Sequence, residues 1–416
     1  MCAHSHAAAS KGALRPLTRV CHCIQVCLTL RTPPPRRGLP RGERHLLRDV
    51  SGAVYPGQLM AILGATGSGK SSIMNILARR LVLSSRLSVS GTVRLNGAPR
   101  GRRWKSSFCE QTDLFLSTLT VEETLLFSAR LRMPSTSTPQ SRQARVDAVL
   151  RTLGLGKVAH TKVGGDLMRG ISGGEAKRLA LGVEMVVNPP LLFMDEPTSG
   201  LDAFNAQSLM ATLSVLTTTG RTIVVCIHQP RSGITAMFDA LLLLSEGRVM
   251  WSGQAGDQPV AFLEGFGFRL PAHTNPSDFF LDVVSVAYNT PETERVTRER
   301  IDMIADAYKA RQPEALAQLR DSASAYGKDS AGDAQQRQQQ PQSAISHQPW
   351  YVEFSALLFR AGRLKGRQNL ENGINLVRTT VFSLLQGLIW LHVGKRAARD
   401  GNPGAFISRP EPSATH

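Results

Sequence analysis

The chain has 416 residues, 42% of them hydrophobic, with a formal net charge of +17. That length holds two ordinary domains with a real core, and the apolar content is low for a polytopic membrane protein. Such a charge suits nucleic acid or an anionic membrane surface, but the basic residues are spread without a long Lys/Arg block or aromatic–basic interleaving, so no nucleic acid is expected.

Residues 1–45 are poorly patterned. The first 42 carry no Asp or Glu and several Arg, a weak likeness to a transit segment, but without the long apolar core of a secretory signal. An irregular cytoplasmic start is the expectation. Arg19 to Leu30 predicts a strand, broken by Pro33-Pro34-Pro35. Cys2, Cys21, Cys23, Cys27, Cys109 and Cys226 do not form a disulfide framework in a chain this long. Cys21-His22-Cys23 reads as alternating strand faces, because it lacks the usual zinc spacing.

Leu59-Met60-Ala61-Ile62-Leu63 is an uncharged apolar run and predicts a buried parallel strand. A helix is expected over Ser71 to Leu81. Ser90 to Asn96, closed by Asn96-Gly97, reads as an edge strand and turn. Thr120 to Arg132 has helical spacing, and Thr120 with Glu123 fits a capping box. Ala144 to Leu153 predicts a second short helix. Leu191 to Met194 and Thr222 to Ile227 predict two further buried strands. Leu241 to Leu244 is another apolar run, ended by Glu246-Gly247. Strands alternating with helices give an α/β class with a mostly parallel sheet.

Residues 311–348 are rich in Gln, Ser, Asp and Gly and predict a flexible linker. Tyr351 to Lys365 predicts an amphipathic helix with Phe354, Leu357, Leu358 and Ala361 on one side. Its Arg360, Arg363, Lys365 and the following Arg367 suit a membrane surface or a solvated face. Thr379 to Val393 carries no charge. A bilayer-spanning helix needs about 20 residues, so this run is short unless Ile374 to Val377 join it and Arg378 snorkels. A buried helix of a soluble domain is the alternative.

The chemistry lies in three stretches. Gly64-Ala65-Thr66-Gly67-Ser68-Gly69-Lys70-Ser71-Ser72 sits between a predicted strand and a predicted helix. Gly64, Gly67, Ser68 and Gly69 let backbone N–H groups turn inward around phosphate oxygens. Lys70 is placed to reach the β- and γ-phosphates, and the Ser71 hydroxyl to ligate Mg²⁺, with the helix N-terminus adding partial positive charge. Asp195 ends an apolar strand, where a carboxylate can hold Mg²⁺. Glu196 beside it can polarise an attacking water. Ser172-Gly173-Gly174-Glu175 forms a second backbone nest or an ordinary helix N-cap, and both readings are compatible. One ATP is not easily held by both glycine loops of one domain, so the second nest is expected to face ATP bound to another copy. His228, after a predicted strand, can donate to the γ-phosphate. Gln111 is a candidate for contacting Mg²⁺ or the attacking water.

These residues resemble the nucleotide-binding domain of ATP-binding cassette transporters over about residues 45 to 285. Gly64–Ser71 is similar to the Walker A motif, Gln111 to the Q-loop, Ile171–Glu175 to the signature and Leu191–Asp195 to Walker B. Glu196 matches the catalytic glutamate, Ser199–Asp202 the D-loop with Asp202 at its end, and His228 the switch histidine. Ser117–Leu125, Ile227-His228-Gln229-Pro230-Arg231 and Asn275-Pro276-Ser277-Asp278-Phe279 resemble the G (White) subfamily. The resemblance implies a P-loop fold of ABC type with a helical subdomain and Mg²⁺-dependent ATP hydrolysis. It implies a second half-transporter as partner, and a membrane location with the ATPase on the cytoplasmic side.

The division it implies is an N-terminal segment at 1–45, the nucleotide-binding domain at 46–285 and an extension with linker at 286–348. A connecting helix follows at 349–378, a first transmembrane helix at 379–393 and a tail at 394–416. Half-transporters of this kind carry several such helices where this sequence has one candidate, so a truncated chain is expected. The expected function is the ATPase module of an exporter. A regulatory partner without transport of its own and a soluble ATPase acting on nucleic acid or ribosomes are the alternatives. No aromatic residue offers itself as an adenine platform before the phosphate loop. Ala176 stands where many relatives carry a basic residue. The transported molecule is not legible.

Overall fold

The computed structural model describes residues 22–31, 43–81, 87–95, 98–99, 106–111, 115–165, 168–312, 349–367, 373 and 376–388. The chain divides into two compact units, Met1–Glu353 and Phe354–His416.

The first unit holds two sheets. Strands β1 (His22–Arg31), β2 (Glu43–Val54), β4 (Leu87–Leu95) and β5 (Ala98–Pro99) pair antiparallel in the order β2-β1-β4-β5. The expected strand over 19–30 is β1 from residue 22 on; residues 19–21 lie outside the described residues. The expected edge strand at 90–96 is β4, and it is not an edge, since β1 and β5 flank it. Local sequence could show its alternation but not its distant partner, β1.

The second sheet joins β3 (Leu59–Gly64), β6 (Ser106–Cys109), β7 (Leu191–Asp195), β8 (Thr222–Cys226), β9 (Ala240–Ser245) and β10 (Arg248–Gln254). Its order is β10-β9-β3-β8-β7-β6, parallel throughout except for the β9–β10 hairpin. Strands β3, β8 and β9 are buried along their whole length. That two-sided burial explains why they read as uncharged apolar runs rather than as alternation.

The helices are α1 (Lys70–Ala78), α2 (Val121–Arg132), α3 (Pro139–Thr152), α4 (Gly173–Met185), α5 (Ala203–Thr217), α6 (Ser232–Thr235), α7 (Asp257–Glu264), α8 (Pro276–Val284) and α9 (residues 291–312). The capping box of α2 is present: the Glu123 amide donates to Thr120 Oγ1 at 3.2 Å, and the Thr120 amide donates to Glu123 Oε2 at 3.0 Å. Helix α3 begins five residues before the expected start, because Thr138 caps it and Pro139 opens it.

Arg221, just before β8, is the largest fully buried side chain among the described residues. One Nη donates to Asn188 Oδ1 at 2.6 Å and the other to Thr219 Oγ1. Burial pushes its pKa down to about 10. Arg145, also desolvated and lying in the field of Arg221, falls to about 10 as well. Arg221→Ala should cost about 2–4 kcal/mol, since it opens a cavity and orphans the Asn188 carbonyl. Arg221→Met keeps most of the volume and removes a buried charge, so it should cost less. Thermal midpoints of the two variants check the order.

Helix α10 (Trp350–Arg367) crosses the boundary between the units, and residues 376–388 are helical. Phe354, Leu357, Leu358 and Phe359 are exposed on α10. The expected transmembrane helix over 379–393 is not supported. Residues 379–388 lie in the helix 376–388, and 389–393 lie outside the described residues. Among the described residues, no helix is long and apolar enough to cross a membrane. The expected linker falls almost wholly on residues 313–348, also outside the described residues.

Candidate nucleotide-binding and hydrolysis site

The candidate residues gather at one edge of the second sheet. Gly64 ends β3, Asp195 ends β7, and Glu196 follows it. His228 lies two residues beyond β8, and Gln111 two residues beyond β6. Because these four strands run parallel, their C-terminal ends share an edge, and the loops leaving them meet there.

The loop between β3 and α1 is built for close backbone approach. A Cβ on Gly64 would overlap the Leu244 carbonyl oxygen and lie 2.5 Å from Ser68 Oγ. Gly69 has φ +100°, and a Cβ there would meet Leu47 Cδ2 at 2.6 Å. Lys70 is buried, and its Nζ donates to Gly64 O at 2.7 Å and Ala65 O at 3.0 Å. The ammonium therefore sits inside the bend of the loop. Helix α1 has no side-chain cap and no acidic residue in its first turn. Its first amides and their partial positive charge are thus left for an anion. Ser68 Oγ is buried with no hydrogen-bond partner among the described residues. Gly67, Ser71 and Ser72 complete the loop, with Gly67 and Ser71 exposed.

Asp195 Oδ1 is also buried with no hydrogen-bond partner among the described residues. An orphaned carboxylate oxygen beside a phosphate-type loop is the donor a hard divalent cation takes. The Ser71 hydroxyl, a neutral oxygen, fits the same cation. Glu196 adopts a left-handed conformation at φ 46°, and its amide donates to Cys226 O at 2.8 Å. Its Oε2 accepts from Gln111 Nε2 at 2.8 Å. The amide oxygen of Gln111 carries no bond among the described residues, so it can face a metal while the NH₂ holds the carboxylate. Cys226 pairs with Asp195 across β7 and β8. Burial, with the Asp195 charge second, pushes its thiol pKa well up.

His228 is exposed, and its Nε2 lies 3.3 Å from Thr66 Oγ1 of the phosphate-type loop. The loop after His228 is tied down from a distance. Asn275 caps α8, and its Nδ2 donates to Pro230 O at 2.7 Å. Thr235 Oγ1 and Ser277 Oγ share a hydrogen bond of 2.6 Å. The Asn275–Phe279 stretch thus anchors the histidine loop.

Ser172, Gly173, Gly174 and Glu175 form the start of α4. No hydrogen bond among the described residues joins them to Gly64–Ser71. Ser172 caps α4 in a box: its amide donates to Glu175 Oε2 at 2.8 Å and its hydroxyl accepts from the Glu175 amide at 3.3 Å. Ser172 and Gly173 are exposed. Asp202 caps α5, accepting from the Phe204 and Asn205 amides at 3.0 Å each. Hydrogen bonds from Asn205, foremost, hold its pKa below the usual carboxylate value.

The ABC transporter family model matches residues 47–199, and the ABC-2 type transporter model matches 228–384. ABC transporter G family member 7 of Arabidopsis thaliana is 38% identical over 356 residues, 85% of this chain and 48% of that protein. Protein white of Drosophila melanogaster is 36% identical over 364 residues, 85% of this chain and 51% of that protein. The chain belongs to the G family of ABC transporters. The broad substrate specificity ATP-binding cassette transporter ABCG2 of Bos taurus is 44% identical over 245 residues, 58% of this chain and 37% of that protein. The chain spans about half the length of the first two relatives.

Three contacts in this G-family cassette escaped the sequence reading. Thr66 meets His228, Lys177 Nζ donates to Gln111 O at 2.5 Å, and Asn205 Nδ2 donates to Asp202 Oδ2 at 2.5 Å. Thr66 and Lys177 lie inside or beside recognisable motifs, but their partners are 162 and 66 positions away. Only the Asn205–Asp202 pair, three apart at a helix start, had a local signal.

Proposed function

We propose that the chain binds and hydrolyses ATP with Mg²⁺ as the ATPase module of a G-family half-transporter. It works as one of two cassettes that close on ATP, joined to a membrane domain and lying on the cytoplasmic side. The observation that carries this is the Gln111–Glu196 hydrogen bond at a strand edge shared with a lysine-centred phosphate-type loop. The amides of 64–71 and Lys70 would grip the triphosphate. Ser71, Asp195 and Gln111 would hold Mg²⁺, which neutralises phosphate charge. Glu196 takes a proton from the attacking water, whose oxygen bonds to the γ-phosphorus as ADP leaves. His228, fixed by Thr66, would donate to the γ-phosphate. The exposed Ser172–Gly173 nest would face the triphosphate of the partner cassette. Transport and its partner follow from kinship with the relatives above; the cargo is left open.

Lys70→Ala tests the loop assignment. It removes a charge-assisted donor from the phosphates, so ATP affinity should fall about a hundredfold. Titration of the full chain with a fluorescent ATP analogue reads it. Unchanged affinity would remove the loop from nucleotide binding.

A further inference from the structure

The mechanism above leaves Lys177 without a task, yet it makes a specific contact. It lies in α4, four residues after Gly173, so the two stack along one helix face. Its Nζ donates to the main-chain oxygen of Gln111 at 2.5 Å. Among the described residues, that is the one hydrogen bond made by the main chain of Gln111. The Gln111 side chain in turn holds Glu196 at 2.8 Å. A chain of contacts therefore runs from the exposed nest, through the rigid helix and the lysine, to the candidate base.

We infer that Lys177 is a positioning residue for hydrolysis: it fastens the loop carrying Gln111 to the signature helix and so sets the Glu196 carboxylate. The inference rests on the proposed ATPase reading. A glutamine loop free of its tether would leave Glu196 Oε2 unheld, and a misplaced base costs rate rather than affinity. The helix that would touch the partner's phosphate is thereby fastened to the base of its own site. Movement of α4 when the cassettes close would reach Glu196 through one hydrogen-bonded loop.

The test uses the full chain. Lys177→Met keeps the aliphatic stem and removes the ammonium; Lys177→Arg keeps a donor. Lys177→Met should lower kcat about tenfold, with ATP affinity and thermal midpoint unchanged. Lys177→Arg should recover at least half of the lost rate. Combined with Gln111→Ala, Lys177→Met should add no further loss, because both act through the same carboxylate. A kcat within twofold of the parent, a loss seen as raised KM alone, or full additivity with Gln111→Ala would overturn the role of Lys177. A parent chain whose turnover ignores Glu196→Gln would instead overturn the ATPase reading itself, so the two failures are distinguishable.

Discussion

Glu196→Gln should lower ATP turnover about a thousandfold and leave ATP binding intact. The substitution is nearly isosteric, so the side-chain oxygen still accepts from Gln111 Nε2, and the main-chain bond to Cys226 O is untouched. What disappears is the proton acceptor. No neighbour replaces it. The Cys226 thiol is held protonated by burial and by the Asp195 carboxylate, and Asp195 turns a buried oxygen to where a cation fits. His228 sits with its Nε2 3.3 Å from Thr66 Oγ1 of the phosphate-type loop, and no hydrogen bond among the described residues joins it to Glu196. Phosphate release in single-turnover and steady-state assays, alongside nucleotide titration, checks both halves. A variant that hydrolyses ATP within tenfold of the parent would take Glu196 out of its role.

The parts legible in the sequence are those where one local cause dominates. Strands β3, β8 and β9 are buried on both faces, so they stand out as uncharged runs. The loop at 64–71 was legible because strained glycines and a lysine must recur together to cradle phosphate. The capping boxes at Thr120 and Ser172 are four-residue signals and were equally plain. The unread parts depend on distance along the chain. The interior position of β4 is set by β1, about 65 residues upstream. Helix α5 lacks a sharp amphipathic signal because its apolar Phe204 and Val215 are exposed while its polar Thr217 is buried. The site residues were found by type and spacing, but the contacts that orient them were not. Gln111 reaches Glu196 over 85 positions, and Asn275 reaches Pro230 over 45. No local pattern encodes such pairs, since they arise only once the sheet order is fixed.

The two glycines of the Ser172–Glu175 element separate folding from function. A Cβ on Gly174 would lie 2.7 Å from Asn205 Oδ1 and 2.8 Å from its Cγ. Asn205 cannot swing aside freely, because its Nδ2 holds Asp202 at the start of α5. Gly174→Ala should therefore destabilise the fold by about 1–3 kcal/mol through overpacking of α4 on α5. A Cβ on Gly173 would meet only Leu201 Cδ2, at an ordinary 3.8 Å. Gly173→Ala should leave the thermal midpoint unchanged or slightly raised, since alanine suits a helical position better. Nothing within the chain requires glycine at 173; a phosphate resting on the exposed amides would. Hydrolysis by paired chains should accordingly fall about a hundredfold in Gly173→Ala, because the added Cβ would hold the phosphate away from amides aimed at the charge of the transferred phosphoryl group. Thermal melts separate the two variants on stability, and steady-state ATPase assays separate them on rate. Full hydrolysis in Gly173→Ala would mean that the nest meets no phosphate, and the head-to-tail pairing of two cassettes would lose its structural basis.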